Sequence, residues 1–280
     1  MTMRRPIILL LLAPAVLLVG LLFVAPLVGV MSLTVHDGTS FTADPIRELL
    51  DSRVALVVLE RTFMLAASVT AICLLLGYPA AYFMSTLRPR VRAYVTYLIL
   101  LPFWVSILIR TYTWIVILGR EGIVNTGLGA LGLAPVQILY TNVAVHIGMV
   151  QILLPIVIIT CLASMLDIDK DLMKAARSLG ASPAQSFWKV FFPLSVSGAA
   201  TGGLICFILS LGFFVTPALL GGRRSIIIAN LIDLQVHQTL NWGFAAVLAT
   251  ALLAITLACL GVFWLLMRRR VEFSGAGLGR

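Results

Sequence analysis

Apolar runs of about twenty residues recur along the whole chain, and their length limits the folds that it can adopt. A helix needs about 20 apolar residues to cross the hydrocarbon core of a bilayer, where only helices and closed barrels satisfy their backbone hydrogen bonds. Of the 280 residues, 61% are hydrophobic and 11% are charged, a balance that no soluble domain of this size needs. The sequence therefore predicts an all-α integral membrane protein.

Six of these runs predict six transmembrane helices in one domain that covers residues 1–280. The predicted spans are residues 7–33, 62–84, 93–118, 141–166, 198–220 and 243–267. Basic residues such as Arg4, Arg88 and Arg268 fall in alternate loops and near the two ends. This positive-inside pattern predicts cytoplasmic N and C termini. It also accounts for the net charge of +9, so we expect no nucleic-acid partner.

Sequence patterns typical of catalysis or nucleotide binding are missing. The sequence has no G-x4-G-K-[ST] loop and no H-E-x-x-H, and its four cysteines lie in apolar runs without C-x2-C spacing. We therefore expect a non-catalytic chain that binds no cofactor of its own.

The segment 167–193 is a long polar interruption in the apolar second half, and it predicts two short helices. Asp167 or Asp169 can cap the first helix, and Gly180 stands where a left-handed residue ends it. Ser182 and Gln185 form a capping-box pattern for the second helix, which Pro193 is expected to interrupt. One face of the first helix carries Leu172, Ala175, Ala176 and Leu179.

The spacing Ala175-Ala176, Gly180, Val190-x-x-Pro193 resembles the EAA signature, E-A-A-x3-G-x9-I-x-L-P, of permease subunits in binding-protein-dependent ABC importers. Lys174 stands where that family has Glu, Val190 replaces Ile, and Phe192 replaces Leu. The resemblance implies a type I importer permease whose cytoplasmic coupling loop, residues 167–193, docks on an ATP-hydrolysing subunit. The docking residues would be Asp171, Leu172, Lys174, Ala175, Ala176, Leu179, Gly180 and Pro193. The alternative is an amphipathic connector that lies on the bilayer surface.

Three further stretches resemble the spermidine/putrescine permease branch of that family: Pro102–Trp114, Gly212–Gly222 and Asn241–Phe244. The resemblance implies a multi-pass protein of the bacterial inner membrane. Its expected partners are a related second permease, a periplasmic binding protein and two ATPase subunits that carry ATP and Mg. Permeases for opines, phosphonates and other small solutes are similar, so these substrates stay open.

Arg110 lies well inside the third predicted span. A charge at that depth costs about 2.5 kcal/mol or more, so it normally faces a partner or an aqueous path. Alternatively, Arg110 snorkels to the outer headgroups with Trp114 in the aromatic belt. A polyamine path would use acids and aromatic faces, whereas Arg110 favours a carboxylate or phosphonate. The candidate path residues are Glu60, Trp104, Arg110, Tyr112, Trp114, Phe213, Phe214 and Asp233.

These features predict half of the translocation path of an ABC importer, which would work by alternating access. An autonomous channel or secondary transporter is the second class, but such proteins usually carry ionisable residues along a midplane path. In this sequence only two such residues, Arg110 and His146, lie within the predicted spans. A third class is a membrane scaffold that carries no solute flux.

Overall fold

The computed structural model describes residues 13–35, 43–222 and 225–275, and these residues form helices and turns without a β-strand. Residues 7–12 of the first predicted span lie outside this part. The helices are α1 (Ala13–Ser32), α2 (Asp44–Asp51), α3 (Arg53–Thr86), α4 (Pro89–Leu100), α5 (Ile107–Leu118), α6 (Ile123–Ala130), α7 (Asn142–Leu166), α8 (Lys170–Ser178), α9 (Pro183–Leu211), α10 (Val215–Leu220), α11 (Ile228–His237) and α12 (Trp242–Gly275).

Five helices in the described part are long and apolar enough to cross a membrane, namely α1, α3, α7, α9 and α12. A sixth span is obtained if the bent pair α4 and α5 crosses once. This confirms the predicted all-α class. The bounds differ most for α3, which begins at Arg53 rather than residue 62, and for α12, which continues to Gly275 rather than residue 267.

The third predicted span, residues 93–118, is wrong as a continuous helix. After α4 a 3-10 turn covers Leu101–Trp104, Val105 and Ser106 are extended, and α5 leaves at 92°. Pro102 explains the break, because it has no N–H to donate within the helix and its ring crowds the preceding turn. The apolar run hides this break, although Pro102 was a signal that could have located it.

The start and the break of the fifth predicted span, 198–220, also differ from expectation. Pro193 does not interrupt its helix, because a π-helical turn at Phe187–Phe191 widens the backbone immediately before it and α9 continues through. The sequence predicts a break at Pro217, near the outer end of this span. The break falls at residues 212–214 instead, and Pro217 occupies the first turn of α10, where a proline costs no hydrogen bond.

The chain divides into two compact units. The first contains Met1–Val58 and Leu231–Ala254. Within it, the side chain of Asn241 caps the start of α12 by accepting the backbone N–H of Phe244 at 3.0 Å. The Asn241 amide also approaches Glu48 of α2 at 3.4 Å. The single domain predicted for residues 1–280 stays a prediction.

The second unit contains Leu59–Asn230 and Ile255–Arg280, and its buried centre lies between α3, α7 and α9. Lipid chains are as apolar as leucine, so helices in a bilayer associate mainly through close van der Waals packing. Gly198 and Gly202 provide that close packing, since a Cβ at either position would collide with Ser164 or Thr160 of α7. The sequence predicts close helix packing from the small residues at the start of the fifth span, and two of them, Gly198 and Gly202, face α7.

Candidate functional site

The helix α8 begins at a side-chain cap. Asp169 adopts the extended conformation of a cap residue, and its carboxylate accepts the backbone N–H of Asp171 at 2.9 Å. This selects Asp169 from the two predicted caps. Asp171 in the first turn and Arg177 in the last turn have the charges that the helix dipole favours. The first of the two predicted loop helices therefore forms from local interactions.

Gly180 ends α8 in the left-handed conformation that the sequence predicts, with φ of +88°. Its N–H donates to the carbonyl of Arg177 at 2.9 Å, and the N–H of Ala181 donates to that of Ala176 at 3.1 Å. This pair of bonds is the Schellman motif, which satisfies the last carbonyls of a helix. Two residues later Ser182 and Gln185 exchange the two bonds of a capping box, so the direction of both helices is fixed locally.

The free face of α8 is apolar and small at its centre and charged at one edge. Leu172 is 47% exposed and Leu179 is 88% exposed, and Ala175 is exposed between them. Lys174 Nζ lies 2.7 Å from Asp171 Oδ1, where it lowers the pKa of Asp171 while the carboxylate raises the pKa of Lys174. Both side chains are solvent-exposed, so the pair orients Lys174 more than it stabilises the helix.

The start of α9, which follows α8 in the loop, packs against an aromatic side chain of α3 that the sequence did not indicate. Tyr82 of α3 meets Phe187 and Phe191 edge to face, each at a centroid distance of 5.1 Å. Nearby, Tyr78 donates to or accepts from Ser195 at 2.6 Å. Edge-to-face pairs contribute about 0.5–1.5 kcal/mol each beyond their burial. The second helix of the loop is therefore packed against α3.

Arg110 is half-buried in the first turns of α5, and its guanidinium lies over the ring of Phe103 at 5.7 Å from the centroid. Its Nε and Nη1 atoms are buried without a hydrogen-bond partner in the described part of the chain. In a continuous third span, Phe103, Ile107, Arg110 and Trp114 are expected from their spacing to share one face. The contact with Phe103 instead spans the break between α4 and α5.

The other predicted path residues lie in several environments. Trp104 is 89% exposed, and Tyr112, Phe214 and Glu60 are also exposed. Trp114 and Phe213 are partly buried and pack against the buried centre of the second unit. Asp233 belongs to the first unit and lies 3.0 Å from His237 Nδ1 on the same helix. The side chains within each unit thus do not single out one path from this set.

Among the described residues, no group of three or more His, Cys, Asp or Glu side chains is placed to hold a metal ion. The location of ATP and Mg on a partner subunit stays a prediction.

Comparison with known proteins agrees with this fold. The family described as "Binding-protein-dependent transport system inner membrane component" matches residues 73–272. The spermidine/putrescine transport system permease protein PotB of Haemophilus influenzae is 36% identical, over 89% of this chain and 90% of its own length. PotB of Escherichia coli (strain K12) is 34% identical, over 89% of this chain and 93% of its own.

One solved structure has the same fold over nearly the whole chain. A bacterial ABC transporter involved in the import of the acidic polysaccharide alginate contains a chain that matches with a TM-score of 0.80. The match covers 95% of this chain and 96% of that chain at 17% identity, so it speaks for the fold alone.

The chain belongs to the family of inner-membrane components of binding-protein-dependent transport systems. It is a multi-pass permease subunit of an ABC importer, as the resemblance in segment 167–193 implied.

Proposed function

We propose that this chain forms half of the translocation path for a polyamine of the spermidine or putrescine type, and that α8 is the helix that couples the path to ATP hydrolysis. The PotB relatives, similar over about nine-tenths of both chains, support the polyamine. The shape of α8 supports the coupling, because a capped helix with an 88% exposed Leu179 at its end presents an apolar face.

The complete importer would contain a second, related permease, two ATPase subunits with ATP and Mg, and a periplasmic binding protein. ATP would close the ATPase subunits and move the two coupling helices together, which turns the path from inward-open to outward-open. The binding protein would then release its solute, and hydrolysis would restore the inward-open state. The aromatic contacts of Tyr82 with Phe187 and Phe191 support this coupling, since they join α3 to the start of α9, which follows α8 in the same loop.

A different solute class is favoured by one observation. The guanidinium of Arg110 has two buried nitrogens without a hydrogen-bond partner in the described residues. Such a group is expensive unless a partner reaches it, and a carboxylate or phosphonate solute would be one. An opine or phosphonate is therefore the second candidate solute for the same importer.

The coupling proposal is tested by purifying the tagged chain from detergent-solubilised membranes and identifying the proteins that co-purify. We expect an ATPase subunit with a G-x4-G-K-[ST] loop and a second permease. A chain that purifies alone and transports in liposomes without ATP would contradict the proposal.

The solute is tested separately, in proteoliposomes that contain the purified complex and its binding protein. We expect ATP-dependent uptake of labelled spermidine or putrescine. Uptake of a phosphonate or opine, with no uptake of either polyamine, would replace the first solute by the second.

A further inference from the structure

A pocket lined by both polar and apolar side chains lies in the second unit where α3, α7 and the segment before α11 meet. It has a volume of about 560 Å³, within the range of pockets that hold small molecules. In the topology that the charge pattern predicts, the pocket lies towards the periplasmic side. Its polar side chains are Arg61, Ser68, Asn142, His146 and Ser225, and its apolar wall includes Met64, Leu65 and Ile227.

A backbone carbonyl determines which ring nitrogen of His146 carries the proton. Nδ1 lies 2.7 Å from the carbonyl oxygen of Asn142, which can only accept a hydrogen bond, so Nδ1 carries the proton. In the neutral ring Nε2 is then an acceptor. Ser68 Oγ of α3 lies 2.7 Å from this nitrogen, and 78 residues separate the two in sequence.

Ser68 has one hydroxyl proton and two acceptors within reach. One acceptor is His146 Nε2 at 2.7 Å, and the other is the carbonyl oxygen of Leu65 at 2.9 Å. The hydroxyl can therefore turn from the ring to the carbonyl without losing a hydrogen bond. If it turns, Nε2 and the lone pairs of Ser68 Oγ both become available to a donor that enters the pocket.

We propose that Ser68 and His146 form an amine subsite that binds one ammonium group of the transported polyamine. An ammonium group carries three N–H donors and no acceptor, which matches two adjacent neutral acceptors. The apolar wall would contact the methylene chain of the same molecule. Asn142 keeps its position beside them, because its Oδ1 accepts the hydroxyl of Ser225 at 2.6 Å. This subsite rests on the proposed polyamine function and deepens it.

Arg61 is the charged side chain among the residues that line the pocket, so a bound ammonium group must lie away from it. Arg61 lies seven residues before Ser68 on α3, which corresponds to about 10 Å along a helix. Its positive charge disfavours a second ammonium near the mouth, so the remaining amines extend away from the pocket. Neutral acceptors also bind more weakly than a carboxylate, and a transport path needs a site that releases its solute.

The test measures how ATP-dependent spermidine uptake by the complete importer depends on solute concentration, in Ser68→Ala and His146→Phe variants. Each change removes one acceptor of the subsite. Hydrogen bonds to charged groups are the stronger ones, so we expect the half-saturating concentration to rise about tenfold or more. The amount of assembled complex should stay at the wild-type level, so that a change in half-saturation reports solute binding. His146→Gln, which keeps an acceptor oxygen, should retain part of the affinity.

Ser164→Ala is the matched control, because it removes another hydroxyl between helices, 3.5 Å from Ser197 Oγ, that does not line the pocket. Its half-saturating concentration should equal that of the wild type. Unchanged half-saturation in both Ser68→Ala and His146→Phe would overturn the subsite while leaving polyamine transport intact. A wild-type importer that takes up neither spermidine nor putrescine would overturn the subsite and the polyamine function together.

Discussion

Gly180 illustrates how a single residue defines the proposed coupling helix. Its φ of +88° is in the left-handed region, which residues with a Cβ enter at a cost of about 1–3 kcal/mol. Nothing lies within 4 Å of the position that a Cβ would occupy. The constraint is therefore the backbone conformation rather than crowding, and the Schellman bonds to Arg177 and Ala176 depend on it.

A series of substitutions at Gly180 separates these two causes. We expect Gly180→Val to reduce co-purification of the ATPase and polyamine uptake strongly, because a β-branched residue rarely adopts this conformation. Gly180→Asn should be much milder, since Asn enters the left-handed region more easily. Gly129→Val is the control, because a Cβ there also meets nothing within 4 Å and the backbone is ordinary. Equal losses in Val and Asn variants would contradict this explanation.

At the scale of elements, the contact between α7 and α9 shows what the membrane environment requires. Gly198 and Gly202 bring α9 against Ser164 and Thr160, so the two backbones approach closely. Small residues in the sequence predicted close packing but could not identify the partner helix. The break between α4 and α5 differs from this case, because Pro102 is a local signal for it in the sequence. The uniform apolar run around Pro102 nevertheless predicts one continuous span.

The α7–α9 contact predicts a pair of compensating substitutions. Gly202→Ala should lower the melting temperature and the yield of folded protein, because its Cβ collides with the Thr160 side chain, and overpacking costs about 1–3 kcal/mol. Thr160→Ala removes the colliding atoms, so the double variant should recover most of the loss. Gly261→Ala, where a Cβ meets nothing within 4 Å, should leave the melting temperature unchanged. If the double variant loses as much melting temperature as the two single variants together, this packing is contradicted.

At the scale of the whole molecule, the direction of the chain across the membrane follows from charge rather than from packing. Basic residues in alternate loops predict that both termini and the loop at 167–193 are cytoplasmic, and this orientation stays a prediction. One membrane-crossing helix, α7, separates α6 from that loop. Exposed positions on each side of α7 can therefore report the orientation.

Two cysteine substitutions test it. Gly127→Cys on α6 should react with a membrane-impermeant maleimide added to intact spheroplasts, whereas Ser182→Cys in the coupling loop should react only after the membrane is opened. Cys73, Cys161 and Cys206 are buried, and the unsubstituted protein gives the background of all four native cysteines. The reverse labelling pattern would invert the topology and exclude a cytoplasmic ATPase at α8.

The membrane class, most of the spans and the shape of the loop at 167–193 can be predicted from the order of the residues alone. These features depend on hydrophobic length and on caps between residues a few positions apart, such as Asp169 with Asp171 and Ser182 with Gln185. The aromatic partners of Tyr82 and the hydrogen bond between Ser68 and His146 are visible only in the tertiary structure. Those contacts join residues from different helices, and such pairings follow from the packing of whole helices, which no local pattern encodes.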